Sequence, residues 1–198
     1  MKVPLRYQTS EYDCGPTAVL NALSFLYDTE EIPPDFVKKV YDVSLDDYIG
    51  GQAFHGGTSS HSMRYLSEWF SRYARFKNYP MRTEFYEGSE IHLGEDSPIL
   101  NCLRAGGAVV AKCISETEHY VTLTGIGEDC VYVFDPYYED EPELPVGVTV
   151  VEGRPKEMNR RVEIAVMDCN AKCDYAFCCW EHRCAMLIYR TREEKFSI

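Results

Sequence analysis

YQTSEYDCGPTAVLNAL, residues 7–23, sets a cysteine at the polar edge of an apolar run rather than inside it. From Asp13 onward, Val19, Ala22, Leu23 and Leu26 recur at helical spacing. Asp13 stands where a capping residue belongs, and Pro16 falls in the first turn, where its missing N–H costs nothing. The pattern predicts a helix over residues 14–27 with Cys14 in its first turn. There the sulfur meets the positive end of the helix macrodipole, which favours thiolate over thiol. Position alone leaves two readings open, a reactive thiol and an ordinary half-buried cysteine. A partner base would separate them.

Downstream, Pro33-Pro34 opens a short second helix through Phe36, Val37, Val40 and Tyr41. The loop YIGGQAFHGGTSS follows, and Thr58 or Ser59 can cap a third helix whose apolar stripe is Met63, Leu66, Trp69, Phe70 and Tyr73. After Gly106-Gly107 the texture changes to short β-branched and aromatic runs: AVVAKCI, HYVTLTGI, CVYVFD, VGVTVVE, RVEIAVMD and CAMLIYR. The order predicts a single α+β domain over residues 1–198. Its helical N-terminal part, residues 1–106, packs the cysteine-bearing helix on an antiparallel sheet from residues 107–198.

With 32 acidic against 20 basic residues the chain carries a formal net charge of −12, and no Lys/Arg cluster suits a phosphate backbone, so no nucleic-acid partner is expected. MKVPLRYQTSEYD lacks the apolar run of a secretory signal, and no stretch reaches about 18 uninterrupted apolar residues, so the expectation is a soluble cytoplasmic chain without membrane contact. Nine cysteines without export signals read as reduced thiols rather than a disulfide scaffold.

Five histidines are available as the base. His119 stands at the entry to a strand, which would hold its ring rigidly. His55 and His61 flank the glycine-rich loop, His92 lies in a polar segment, and His182 sits among the late cysteines. Sixteen residues after His119 the next strand ends in Phe134-Asp135-Pro136, and adjacent antiparallel strands would bring Asp135 near His119. A carboxylate there would fix the imidazole tautomer, although Asp-Pro taken alone reads rather as a strand-ending turn. Gln8, six residues before Cys14, is close enough to aim its amide with the Cys14 N–H at the oxygen of a tetrahedral intermediate; taken alone it is a loop glutamine. Asp13 is expected to cap rather than catalyse, and Gly15 to let a substrate backbone approach the sulfur.

Gln8-x-x-x-x-Asp13-Cys14-Gly15-Pro16, then His119-Tyr120-Val121 leading to Gly125, then Asp135-Pro136, resembles the bacteriocin-processing (double-glycine leader) cysteine peptidases, a branch of the papain-like proteases. The resemblance covers about two-thirds of the chain. It implies a papain-like fold with Cys14 as nucleophile, His119 as general base, Asp135 as its orienter and Gln8 as an oxyanion-hole donor. The implied reaction is peptide hydrolysis through a thioester acyl-enzyme, with small residues before the cleaved bond and no cofactor. An acyltransferase built on the same thioester, or a silent peptide-binding module, are the alternatives. The loop from Gly50-Gly51 to Gly56-Gly57 lacks the Gly-Lys-Ser/Thr ending of a phosphate cradle and is read as a wall of the substrate groove.

Five of the nine cysteines, Cys169, Cys173, Cys178, Cys179 and Cys184, crowd into sixteen residues with His182. Their spacing has no paired Cys-x2-Cys knuckles, so free or reversibly paired thiols are the preferred reading over a zinc site. Cys184 opens a core strand and is expected to be buried there. The acidic run YYEDEPELP reads as a solvated loop.

Overall fold

Helix α1, Cys14–Leu26, is buried at every position except Phe25 in the computed structural model, which describes residues 1–53, 55–140 and 142–191. A helix enclosed on all sides needs small or apolar residues all round, and its few polar groups must be satisfied. Asn21 does so by exchanging two hydrogen bonds with the backbone of Arg6, 2.8 and 2.9 Å, which lays the N-terminal segment along the helix. Val19, Leu20, Leu23 and Leu26 each contribute about 1.5–3 kcal/mol by burial.

Helix α2, Pro34–Val43, starts on its proline pair as expected. Strands β1, Tyr48–Ile49, and β2, Gln52–Ala53, form a small hairpin whose turn residues Gly50 and Gly51 have φ of +59° and +79°, a two-residue turn that needs glycine. Helix α3, Ser60–Lys77, is capped by Ser59, whose hydroxyl accepts from the Ser62 N–H. Strand β3, Met81–Glu87, and helix α4, Pro98–Arg104, follow. Strands β4, Ala108–Ser115, β5, Thr117–Ile126, and β6, Cys130–Phe134, form the meander read from the sequence. Strands β7, Val148–Val150, and β8, Arg160–Glu163, helix α5, Ile164–Met167, and strand β9, Cys184–Arg190, complete the order.

Among the described residues seven strands make one antiparallel sheet in the order β3-β9-β4-β5-β6-β8-β7. One core joins α1, α2 and α3 to β4 and β9, with Ala18, Leu23, Phe36, Phe70, Val110 and Ile188 fully or almost fully buried. A second, from α4, β4 to β6, β8 and β9, includes Ile99, Val121, Val133 and Leu187 together with Tyr175 and Phe177. The fold is α+β, with the cysteine-bearing helix packed on an antiparallel sheet.

Two elements cross the division expected at residue 106. β3, from the helical part, borders β9 in full register, its charged positions Arg82 and Glu84 suiting an edge strand. RVEIAVMD is a strand only to Glu163; the chain then turns helical, burying Met167 and presenting Asp168 to Arg183. Among the described residues no helix is long and apolar enough to cross a membrane.

The cysteine-rich segment is organised by one buried guanidinium. Arg183 donates to the carbonyls of Cys178 (2.7 Å), Ile91 (2.6 Å), Asp168 (3.0 Å) and Cys169 (3.3 Å) and to the side chains of Asp168 (2.7 Å) and Asn170 (2.8 Å). It also lies over the rings of Phe177 and Trp180, 5.5 and 4.6 Å from their centroids. The thiols around it are free. Cys184 is buried beneath the sheet, its sulfur 3.4 Å from the Tyr120 hydroxyl. Among the described residues no three Cys, His, Asp or Glu side chains converge as metal ligands would.

Candidate active site

Cys14 is the first residue of α1, 7% exposed, and its backbone N–H belongs to the helix start, where no intrahelical acceptor exists. The loop before it is drawn tight by Asp13. The Asp13 carboxylate accepts from the backbone N–H groups of Thr9 (3.1 Å) and Ser10 (2.7 Å) and from both hydroxyls, at 3.0 and 2.8 Å. Burial pushes its pKa up, but these hydrogen bonds outweigh burial and hold it below the ordinary value. Asp13 therefore does not cap α1 with its side chain, contrary to expectation; two neighbouring N–H groups and two hydroxyls compete for the carboxylate and win. Its effect is to fold the loop that carries Gln8.

Gln8 is placed twice. Its backbone N–H donates to the Pro136 carbonyl at 2.8 Å, next to Asp135, and its side-chain Nε2 donates to the Ser10 carbonyl at 2.8 Å. One amide hydrogen is thus used locally and one is left over, while Oε1 is buried without a partner. The amide is turned toward Ser10 rather than bonded to Cys14.

His119 is the first buried residue of β5 and lies opposite Cys113 of β4. Its Nε2 is 2.8 Å from Asp135 Oδ1. A carboxylate only accepts, so Nε2 carries the proton and Nδ1 is the ring atom left to exchange one with sulfur. The Cys14 side chain is a near neighbour of the ring and acts on its charge. Burial pulls the imidazole pKa down, yet the hydrogen bonds to Asp135 and Cys14 and their charges raise it to about 10. Cys113, beneath the ring, is pushed well up by burial and by neighbouring Asp135 and Cys14, and stays a neutral thiol.

Asp135 is itself gripped on every side. Oδ1 also accepts from the Tyr137 N–H at 2.9 Å, and Oδ2 accepts from the Tyr175 hydroxyl at 2.7 Å. Asn159 clamps its backbone, accepting from the Asp135 N–H and donating to its carbonyl, both at 2.8 Å. Burial raises the carboxyl pKa, but hydrogen bonding and charge from His119, then Tyr175 and the Tyr137 N–H, bring it below the ordinary value. Asn159 and Tyr175 escaped the sequence reading because only the sheet topology carries them to Asp135.

The other histidines are occupied or distant. His55 stacks on Tyr12 with ring centroids 4.7 Å apart, joining the segment between β2 and α3 to the loop before Cys14. His92 accepts from the Gly94 N–H at 3.2 Å, and His182 is 2.7 Å from Glu118. Gly15 faces Thr58, not open space: a Cβ there would sit 2.6 Å from the Thr58 Cβ, so the glycine serves helix–loop packing rather than substrate access. Gly15→Ala should therefore overpack this contact and cost about 1–3 kcal/mol, read as a lowered thermal midpoint. An unchanged midpoint would show that the Thr58 loop yields freely.

The shifted pKa values also set a pH dependence of stability. His119 is raised above its free value of 6.5, so its protonated form favours the fold; that contribution is complete below about pH 6.5 and fades as pH climbs toward 10. Asp135 is depressed, so its contribution is present above about pH 4 and is lost as pH falls. The stability gap between the parent and His119→Ala, measured by denaturant unfolding, should narrow between pH 6.5 and 10. A gap constant across that window would mean that His119 is neutral in the fold.

A buried thiol at a helix start, an imidazole beside it and an ionised carboxylate behind the imidazole can cycle a proton between sulfur and ring. Solved structures that align with the chain include two proteases. A double glycine motif protease from an AMS/PCAT transporter, in complex with the leader peptide, has 11% identity, with 96% of this chain and 93% of that one covered and a TM-score of 0.45. A protein of Bacillus anthracis assigned as a C39-like peptidase has 16% identity, 96% of each chain covered and a TM-score of 0.49. No curated protein matches. The model of the Peptidase_C39 like family matches residues 1–147, which include Gln8, Cys14, His119 and Asp135, and the chain belongs to that family.

Proposed function

We propose that this chain is a cysteine peptidase working through a thioester at Cys14, with Cys14, His119 and Asp135 as its triad and residues 1–191 as one working unit. The observation that carries the reading is the relay itself: His119 bonded to Asp135 at 2.8 Å with its free edge toward a sulfur at a helix start. The Cys14 thiolate attacks the scissile carbonyl, and the oxyanion meets the Cys14 N–H and the unused hydrogen of the Gln8 amide. His119 gives its proton to the leaving amine, which departs as the carbon–nitrogen bond breaks and the thioester remains. Water then attacks the thioester with His119 taking its proton, releasing the acid and restoring the thiol.

Family membership favours a peptide with small residues before the cleaved bond, and the net charge of −12 favours basic peptides. A cleavage profile over a peptide library, run with and without an added amine, tests the reading. Hydrolysis after Gly-Gly or similar small pairs, unchanged by amine, is expected. Acylated amine as the main product would make the chain an acyltransferase, and no turnover of any peptide would leave it a binding module.

A further inference from the structure

The family match ends at residue 147, yet the side chain that completes the shell of Asp135 comes from residue 175. We infer that Tyr175 is a positioning residue for the thiol chemistry, and that the cysteine-rich segment is present in the fold to deliver it. The inference rests on the triad reading above.

Geometry supports this in three steps. The segment docks on the hairpin that carries His119: the Tyr175 N–H donates to the Ile114 carbonyl at 2.7 Å, the Ile114 N–H to the Ala176 carbonyl at 2.9 Å, and the Asp174 carboxylate accepts the Glu116 N–H at 3.0 Å at the hairpin tip. At Tyr175 the backbone adopts φ of +66°, a conformation uncommon for a bulky residue, and this turns the ring into the core, 5% exposed. There the hydroxyl donates to Asp135 Oδ2 at 2.7 Å and accepts from Arg160 Nε at 3.3 Å.

The two carboxylate oxygens are therefore divided. Oδ1 serves His119 and the Tyr137 N–H, and Oδ2 serves Tyr175. A carboxylate held at Oδ1 alone can swing about its Cβ–Cγ bond and leave the imidazole without its acceptor. The charge-assisted bond at Oδ2 blocks that rotation. Burial and the Asp135 charge push the phenol's pKa up, so it remains a donor throughout the working pH range. Arg160, hydrogen-bonded to the same oxygen and to the Asn159 carbonyl (3.0 Å), fixes the hydroxyl's direction.

The test is a double-mutant cycle on Cys14 reactivity, which needs no substrate. Second-order rates of iodoacetamide alkylation at Cys14 are measured at pH 6.5, with peptide mapping, in the parent, Tyr175→Phe, Asp135→Asn and the double variant. Tyr175→Phe should lower the rate about tenfold in the parent background and leave it unchanged within twofold in the Asp135→Asn background. Its downfield His119 Nε2 proton resonance should broaden or shift as well. An equal loss in both backgrounds would mark Tyr175 as merely structural, and no loss in the parent would remove it from the site. If Asp135→Asn itself leaves the rate untouched, the triad reading fails, whatever Tyr175→Phe does. Should Tyr175→Phe not fold, protein labelled at tyrosine ¹³Cζ supplies the answer. Alkylation of Cys14 should move the Tyr175 resonance in the parent but not in Asp135→Asn, and a resonance unmoved in the parent would overturn the inference.

Discussion

Turnover should fall to background in both Cys14→Ala and His119→Ala, a loss on the order of 10⁶-fold for residues that act as one unit. The double variant should be no worse than either single one, because a thiol without its base and a base without its thiol are equally idle. Asp135→Asn should lose about 10²–10⁴-fold: the amide oxygen can still accept from Nε2, but the charge that favours imidazolium is gone. Gln8→Ala should lower kcat roughly a hundredfold with little change in KM, since in the proposed mechanism its spare amide hydrogen is used only once the oxyanion has formed. Steady-state kinetics on the best library peptide checks the whole series. Residual turnover in Cys14→Ala above background, or unchanged kcat in Gln8→Ala, would remove that residue from its role.

Arg183→Ala should cost about 3–5 kcal/mol of stability, the largest structural penalty expected of a single side chain here. Its six acceptors lie on three stretches, at Ile91, Asp168–Asn170 and Cys178, and would lose their common donor inside the protein. Its partner Asp168 also holds the Leu93 N–H at 3.0 Å, so the disturbance would spread to the loop before α4. Denaturant unfolding measures the loss. A chelator should leave the parent's midpoint unchanged, since the Arg183 hydrogen bonds already tie these stretches together. A chelator-sensitive midpoint with a mild Arg183→Ala effect would reverse that assignment.

The parts of the fold legible in sequence are those with one dominant periodicity. α1 and α3 declared their apolar stripes and starts, and β4, β5, β6 and β9 their β-branched runs. α4 went unread although Ser97 caps it, accepting from the Leu100 N–H at 3.2 Å, and Pro98 and Gly106 bracket it. At seven residues it is too short for a period to emerge. β3 was hidden by the charges of an edge strand. α5 follows without a break from β8, and its helical turn is tied to the burial of Met167 and the capture of Asp168 by Arg183, neither of which is local.

The same distinction divides the site. His119 and Asp135 lie sixteen residues apart, on adjacent strands of a meander, so their meeting follows from local topology. Gln8 and Cys14 share one short loop. Asn159 and Tyr175 are 24 and 40 residues beyond Asp135 and reach it through the β6–β8 pairing and the docking of the cysteine-rich segment. Gly15 shows the opposite error: a residue beside Cys14 invites a substrate role, whereas its neighbour is Thr58.

The most direct test of the account is the rate at which each of the nine thiols is alkylated by iodoacetamide near pH 6, resolved by peptide mapping, in the parent and in His119→Ala. In the proposed triad the His119 imidazole serves as base to the Cys14 sulfur, which makes that sulfur the first of the nine to react. Cys14, although 7% exposed, should be modified before the partly exposed Cys169, Cys173 and Cys179, and that lead should vanish in His119→Ala. Labelling that begins at any other cysteine, or a Cys14 rate indifferent to His119, would contradict the account.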